Sequence, residues 1–393
     1  MREKDASMSG RPVRGRDTDG NGDDAPMGRE NAPMGGADAV LTVKNLTVEF
    51  PTGSGPLRAV DRVHFTLRRG EMLGVIGESG CGKSTVAYAL LNSVMDPGRI
   101  VEGSVAYAGH GDLLQMGEEA QRLFRWQHVS VVFQASQNTL NPLQRIGEQI
   151  RELGRAHKVA RPEALVREAV ELCGRLQLDG VRIMRSYPHQ LSGGMKQRVG
   201  ILFALLLHPE VILFDEPTTA LDSLSQNAVI RIIQEIHEKE GLTGLFITHD
   251  LAIVAEVADV VAVMYAGRIV ELAPVSKIFR HPSHPYTQAL LASIPRLTGD
   301  PHAAAGLGGQ PPKVFGRQTG CLFRDRCAVR MAICDREDPE LLAAADGGAV
   351  ACFFARDAGG HSAGSAEADE NENVAGTVAG NMDGKGEGRH AGM

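Results

Sequence analysis

No apolar run in this 393-residue chain is long enough to cross a bilayer. The longest, Val199 to Leu207, falls far short of the roughly 20 residues a spanning helix needs. Basic excess is also missing. The 41 Lys and Arg against 48 Asp and Glu leave a formal charge of −7, where a nucleic-acid binder would show a basic footprint. No apolar segment follows the basic residues at the N-terminus, so it does not read as a secretory signal. Sustained heptads are absent. The six cysteines include no CxxC pair, which argues against a zinc ribbon. With no sign of export, a disulfide framework is the weaker reading of them. The chain is expected to be soluble and able to dock on a membrane protein.

What is present divides the chain. Residues 1–38 are rich in Gly, Asp, Arg and Pro, and residues 357–393 in Gly, Ala, Glu and Asn. Neither end has hydrophobic periodicity, and both are expected to be disordered, with Met27 or Met34 as alternative starts. Between them, Leu41–Val43, Leu46–Phe50 and Val63–Leu67 alternate as strands do. Met72–Ile76, Val129–Phe133, Val211–Phe214, Leu245–Thr248 and Val260–Met264 are short apolar runs of buried-strand type. A helix spans Asn227–Glu240, and another runs through Val86–Met95 until Pro97-Gly98 ends it. This strand–helix–strand order predicts an α/β core with a parallel sheet. Residues 137–187 are helical and strand-poor. Ile146, Ile150 and Leu153 mark one face there. Leu165, Ala169, Leu172, Cys173 and Leu176 mark another, with Pro162 near that helix's start. Cys173 therefore reads as a core residue.

The run Gly77-Glu78-Ser79-Gly80-Cys81-Gly82-Lys83-Ser84-Thr85 follows an expected strand and opens an expected helix. In that context the pattern is a phosphate loop. Glycines let backbone N–H groups approach phosphate, and a helix N-terminus favours its charge. Lys83 would neutralise the β- and γ-phosphates, and the Ser84 hydroxyl could ligate Mg²⁺; Cys81 reads as incidental within the loop. Val211–Phe214 ends in Asp215-Glu216, at the edge where a parallel sheet binds ligands. There Asp215 can reach Mg²⁺ through its water shell, and Glu216 can face an attacking water as general base.

Further pieces follow in a set order: Gln134, Leu191-Ser192-Gly193-Gly194-Met195-Lys196-Gln197-Arg198, Phe214-Asp215-Glu216-Pro217, Ala220-Leu221-Asp222 and His249. Together with the phosphate loop they resemble the nucleotide-binding subunit of ABC transporters. The resemblance implies an ABC-type nucleotide-binding domain over residues 39–270. Its RecA-like parallel-sheet core would carry an N-terminal antiparallel β part and an inserted helical subdomain. Gln134 would sense Mg²⁺ and the transmembrane partner. Ser192, Gly193 and Gly194 would be the signature that contacts the γ-phosphate bound by an opposing subunit. Asp222 would lie at the dimer interface, and His249 would be the switch histidine. Phe50 is a candidate for stacking on adenine, with a plain core residue as the alternative. The ligand would be ATP with Mg²⁺, held in a sandwich dimer.

Past the switch histidine, His281-Pro282-Ser283-His284-Pro285-Tyr286-Thr287-Gln288-Ala289-Leu290-Leu291 resembles the HPYT element of dipeptide and oligopeptide importer ATPases. That branch also holds nickel importers. A small C-terminal extension is therefore expected over residues 271–356. It carries Cys321, Cys327, Cys334 and Cys352, a clustered thiol set that suggests a metal. In some relatives of this branch the matching cysteines hold a [4Fe–4S] cluster. That ranks here ahead of zinc, and zinc ahead of free thiols.

The resemblance implies a peptide-importing ATPase on the cytoplasmic face of the membrane. Its partners would be transmembrane permease subunits, a second ATPase subunit, identical or related, and an extracytoplasmic solute-binding protein, with no nucleic acid. Rival readings are a nickel or other small-solute importer of the same branch, an exporter ATPase, or an ABC ATPase with no transporter. The single cassette counts against the last.

Overall fold

Alternating buried and exposed side chains build the first sheet. Strand β1 (Ala39–Phe50) pairs antiparallel with β2 (Leu57–Arg68), in register at Val43↔Phe65 and Val48↔Val60. The sequence divides β1 into two runs, and the structure joins them through a bulge. Asn45 there takes a φ of 50°, and the register shifts between Val43 and Leu46. Asn is among the few side chains that tolerate that backbone region. The structure, a computed structural model, describes residues 38–134, 139–219, 221–293, 308–344 and 347–355. Apart from Asp38, the ends expected to be disordered lie outside the described residues, as do Gln137 and Ala220.

Strand β3 (Met72–Ile76) is buried throughout and runs straight into the phosphate loop, after which α1 (Lys83–Leu90) begins. Helix α1 ends five residues before Met95, the end read from the sequence. Asn92 turns the chain at a φ of 46°, and Met95 is 66% exposed, so the apolar tail belongs to a turn. Strand β4 (Arg99–Tyr107) then returns along the free side of β1, followed by β5 (Gly111–Asp112). The first sheet thus has the order β2-β1-β4-β5.

Helix α2 (Glu118–Gln127) leads to β6 (Val129–Val132). The helical subdomain consists of α3 (Ile146–Ala156), α4 (Pro162–Arg175) and α5 (Gly180–Arg185). Ile146, Ile150, Leu165, Ala169, Leu172, Cys173 and Leu176 close on one core, and Leu153 packs against it. Pro162 occupies the first turn of α4, where no N–H is missed.

Helix α6 (Gly193–Leu205) precedes β7 (Val211–Asp215), and α7 (Ser223–Glu240) links β7 to β8 (Gly244–Ile247). Helix α8 (Leu251–Val257), β9 (Val260–Tyr265) and β10 (Arg268–Pro274) follow. Parallel strands run in the order β9-β3-β8-β7-β6, almost wholly buried as a sheet covered on both faces must be. Their C-terminal ends share one edge.

The C-terminal segment completes that sheet. Strand β10 runs past residue 270 to α9 (Val275–Arg280) and α10 (Pro285–Ala292). Strands β11 (Leu342–Ala343) and β12 (Ala349–Val350) then add to β10, with Glu271 opposite Val350. A third core gathers Tyr265, Ile278, Tyr286, Val314 and Phe323 from both sides of this junction. Arg58 N–H donates to the Val314 carbonyl at 2.8 Å, so the extension also holds the first sheet.

Candidate active site

Four parallel strands deliver the chemistry to one edge. The loop after β3 is shaped by close backbone approach. A Cβ on Gly77 would lie 2.2 Å from the Met264 carbonyl oxygen, and one on Gly82 would lie 2.2 Å from that of Ala59. Their φ values of 151° and 106° exclude side chains for a second reason. Within the loop, Lys83 is only 6% exposed. Its ammonium donates to the Gly77 carbonyl at 2.7 Å and to the Glu78 carbonyl at 3.1 Å. Cys81 is buried with its sulfur 3.8 Å from that ammonium, and burial pushes its thiol pKa up.

Ser84, in the first turn of α1, donates its hydroxyl to Asp215 Oδ1 at 2.9 Å. Burial pushes the Asp215 carboxyl up, against the pull of Ser84 and Lys83. Such a buried oxygen pair fits a hard divalent cation, which would favour the charged carboxylate.

Glu216 turns away from Asp215. Its φ is 48°, a left-handed conformation that costs about 1–3 kcal/mol for a non-glycine residue. Its N–H still donates to the Ile247 carbonyl at 2.9 Å, so β8 holds the strained peptide. Three groups then fix its carboxylate. Gln134 Nε2 donates to Oε2 at 3.1 Å, and the Thr219 hydroxyl to the same oxygen at 2.9 Å. His249 Nδ1, as its N–H tautomer, donates to Oε1 at 3.2 Å. Phe133, just before Gln134, stacks on Tyr88 of α1 with ring centroids 5.8 Å apart, which sets the approach of the glutamine. Thr219 was not singled out from the sequence, although it follows Glu216-Pro217-Thr218 directly.

The signature residues do not join this cluster. Ser192 is exposed and caps α6, accepting the Met195 N–H at 3.3 Å. Gly193 and Gly194 form the first turn of that 13-residue helix. Asp222 caps α7, accepting the Ser225 N–H at 3.0 Å. The Phe50 ring lies over Gly98, where an added Cβ would meet it at 2.5 Å, and it packs on the first core.

In the extension, Cys321, Cys327, Cys334 and Cys352 line one small cavity together with His284 and Phe323. No cysteine of the chain is in a disulfide. Burial and the neighbouring thiols push Cys321 up to about 11. His284 is buried and caps α10, accepting the Tyr286 N–H on Nδ1 at 3.0 Å. Glu271, fully buried in β10, accepts the Ser283 and His284 N–H groups at 2.7 and 2.9 Å. That is the physical use of the His-Pro-Ser-His turn: it docks α10 on the sheet.

Elsewhere, Glu210 Oε1 lies 3.3 Å from His110 Nε2 and 3.1 Å from His128 Nδ1. Arg69 Nη2 reaches Oε2 of the same carboxylate at 3.4 Å. This partly exposed cluster stands at the start of β7, at the opposite end of that strand from Asp215, and clips the first sheet to the core. Among the described residues it is the one set of His, Cys or carboxylate ligand atoms all within 4.8 Å of one another. No three of the four sulfurs of the extension therefore approach that closely.

Two family models match the chain. The ABC transporter family model covers residues 60–219, and the oligopeptide/dipeptide transporter C-terminal region covers residues 270–334. The dipeptide transport ATP-binding protein DppD of Escherichia coli is 38% identical over 323 residues, which are 82% of this chain and 98% of that protein. DppD of Bacillus subtilis is 37% identical over 320 residues, 81% and 95% of the two chains. The oligopeptide transport ATP-binding protein OppD of Escherichia coli is 39% identical over 304 residues, 77% and 90%. Among solved structures, the post-hydrolysis dimer of the ATP-binding cassette MJ0796 with ADP and Pi has a TM-score of 0.51 at 26% identity. It covers 60% of this chain and 98% of that one. No helix among the described residues is long and apolar enough to cross a membrane. The chain belongs to the ABC transporter ATPases, in the branch of the dipeptide and oligopeptide transport ATP-binding proteins.

Proposed function

We propose that this chain hydrolyses ATP to drive dipeptides or oligopeptides into the cell through a separate transmembrane permease, with an extracytoplasmic binding protein supplying the solute. It would sit peripherally on the cytoplasmic face and work as one half of a sandwich dimer. The observation that carries this reading is the meeting of Gln134, Thr219 and His249 on Glu216, beside the Ser84–Asp215 pair and Lys83. The docked extension found in peptide-transport relatives supports the cargo class.

Each residue has a physical task. Glu216, oriented by three donors, is the base that takes a proton from the attacking water. Its donors hold it beside the phosphate loop rather than letting it swing into solvent. Lys83 exchanges its loop carbonyls for the β- and γ-phosphate oxygens of ATP, with the glycine-rich backbone and Thr85 at the head of α1 completing the cradle. Ser84 and Asp215, with Gln134 at the edge, would hold Mg²⁺, which supplies charge neutralisation on the phosphates. His249 is free to release Glu216 and meet the γ-phosphate. Ser192, Gly193 and Gly194 would serve the ATP of the opposite subunit through the N-terminus of α6.

Glu216→Gln keeps the size and shape of the side chain and removes the base. Hydrolysis should fall by about 10²–10⁴-fold while ATP still binds. Phosphate release and gel filtration should show an inactive, ATP-bound dimer. Retained turnover would mean that another group activates the water.

The four cysteines are proposed to hold a [4Fe–4S] cluster, with zinc as the alternative. Four cysteines lining one cavity would give one thiolate to each corner iron of a cubane. Anaerobically purified protein should be brown, with about four irons per chain by metal analysis. Colourless protein with stoichiometric zinc would overturn the cluster.

A further inference from the structure

The cysteine lobe sends Arg326, the immediate neighbour of Cys327, to the phosphate loop. Arg326 Nη1 donates to Glu78 Oε2 at 2.7 Å, and Nη2 to Glu78 Oε1 at 2.9 Å. This is a two-pronged pair, the geometry in which a guanidinium fixes direction as well as charge. The Arg326 side chain is 9% exposed and that of Glu78 is 22% exposed, so solvent screens the pair weakly.

Arg326 is itself immobilised. Its Nε donates to the Gly308 carbonyl at 2.9 Å. Its guanidinium lies over the rings of Tyr265 and Phe323, 5.7 and 5.9 Å from their centroids. Tyr265, Tyr286 and Phe323 pack on one another, with centroid separations of 4.6 to 5.4 Å. From that aromatic floor the Tyr286 hydroxyl accepts the Glu78 N–H at 3.0 Å. Glu78 is thus held by the extension at both its side chain and its backbone.

Glu78 is the second residue of the phosphate loop, and its carbonyl is one of the two that receive the Lys83 ammonium. Where the 77–78 peptide sits determines where Lys83 waits for phosphate. We infer that Arg326 is a positioning residue for the ATPase: it fixes Glu78, and so couples the cysteine lobe to the phosphate loop. An extension needed only for its own packing would leave the loop residue to solvent.

Coupling of this kind is reciprocal. If an ordered lobe favours ATP, bound ATP must favour an ordered lobe and slow exchange of its backbone amides. The inference rests on ATP being the ligand of the loop, which binding by the wild-type chain tests separately.

The experiment uses the full chain, a fluorescent ATP analogue, and Arg326→Ala, Arg326→Lys, Glu78→Gln and the double variant Glu78→Gln/Arg326→Ala. Arg326→Ala should weaken ATP binding by about tenfold and raise KM, with kcat at saturating ATP within about twofold of wild type. Arg326→Lys keeps the charge without the fork and should recover part of the affinity. The double variant should bind no more weakly than Arg326→Ala alone. In the wild type, ATP should slow backbone hydrogen exchange across residues 321–334, read by mass spectrometry, and in Arg326→Ala it should not. Glu78→Gln leaves the lobe's own residues intact, so its loss of ATP protection reads the coupling even if Arg326→Ala folds poorly. Unchanged ATP affinity in both single variants, additive losses in the double variant, or ATP protection that survives in Glu78→Gln would each overturn the inference.

Discussion

Gly82 shows how much of the nucleotide site rests on the absence of a side chain. It precedes α1 at a φ of 106°, and its missing Cβ makes room for the Ala59 carbonyl of β2. Gly82→Ala meets backbone, not a flexible side-chain tip, so the loop itself must move. About 2 kcal/mol or more of strain is expected, with ATP affinity down more than about tenfold. Thermal unfolding and analogue titration should both register the change, and full affinity in a stably folded variant would refute the account. Lys83, Ser84 and Glu216 were legible in the sequence because each is fixed by neighbours a few positions away and by a strand beside it. Asp215 is equally local. The pairing of Glu78 with Arg326 was not, because 248 positions separate them and no periodicity marks either residue. Phe50, the sequence's candidate for stacking on adenine or for a plain core place, lays its ring over Gly98 and packs on the first core.

At the scale of elements, the same contrast between local and distant causes holds. Strands β3, β7 and β8 were readable as unbroken apolar runs because both faces of the sheet are covered. Strand β4 escaped notice because only Val105 and Tyr107 of its nine residues are buried. Strands β11 and β12 are two residues each and exist only because β10 offers an edge. Helix α7 carries a feature with a pH signature. In its last turn, His237 faces acceptors on both ring nitrogens: the Leu242 carbonyl lies 2.8 Å from Nδ1, and Asp259 Oδ2 lies 3.1 Å from Nε2. Only the imidazolium can donate to both, and the helix C-terminus favours the charge. The hydrogen bond to Asp259 accordingly raises its pKa, with the Leu242 carbonyl adding to it. A raised folded pKa means stabilisation that is complete below the unfolded value of about 6.5 and is lost as pH climbs through the folded value. Asp259 is half-exposed, so the contribution is under about 1 kcal/mol. Urea midpoints at pH 6 and pH 8.5 should therefore differ less in His237→Gln than in the wild type. An identical pH response in the two proteins would remove His237 from the account.

At the scale of the whole molecule, the chain presents two separate surfaces proposed to face nucleotide. Lys83, Asp215 and Glu216 form one, and the exposed N-terminus of α6 at Ser192 forms the other. A single chain that used both for one ATP would need them in contact, and Ser192 here only caps its own helix. The geometry suits a dimer in which each subunit lends its α6 to the other's loop, so substitutions on the two surfaces should harm different chains. In a complex containing this chain and a distinguishable ATPase partner, photolabelling with an azido-ATP should separate them. Lys83→Ala should abolish labelling of this chain's own loop and spare that of the partner. Ser192→Arg places a long cation at the exposed head of α6, where the partner's γ-phosphate is proposed to bind. It should block ATP-driven closure over the partner's site and lower turnover by about 10²-fold or more, with binding at Lys83 retained. If Ser192→Arg instead removed nucleotide from this chain's own loop, the two surfaces would belong to one site, and the half-motor reading of the molecule would fall.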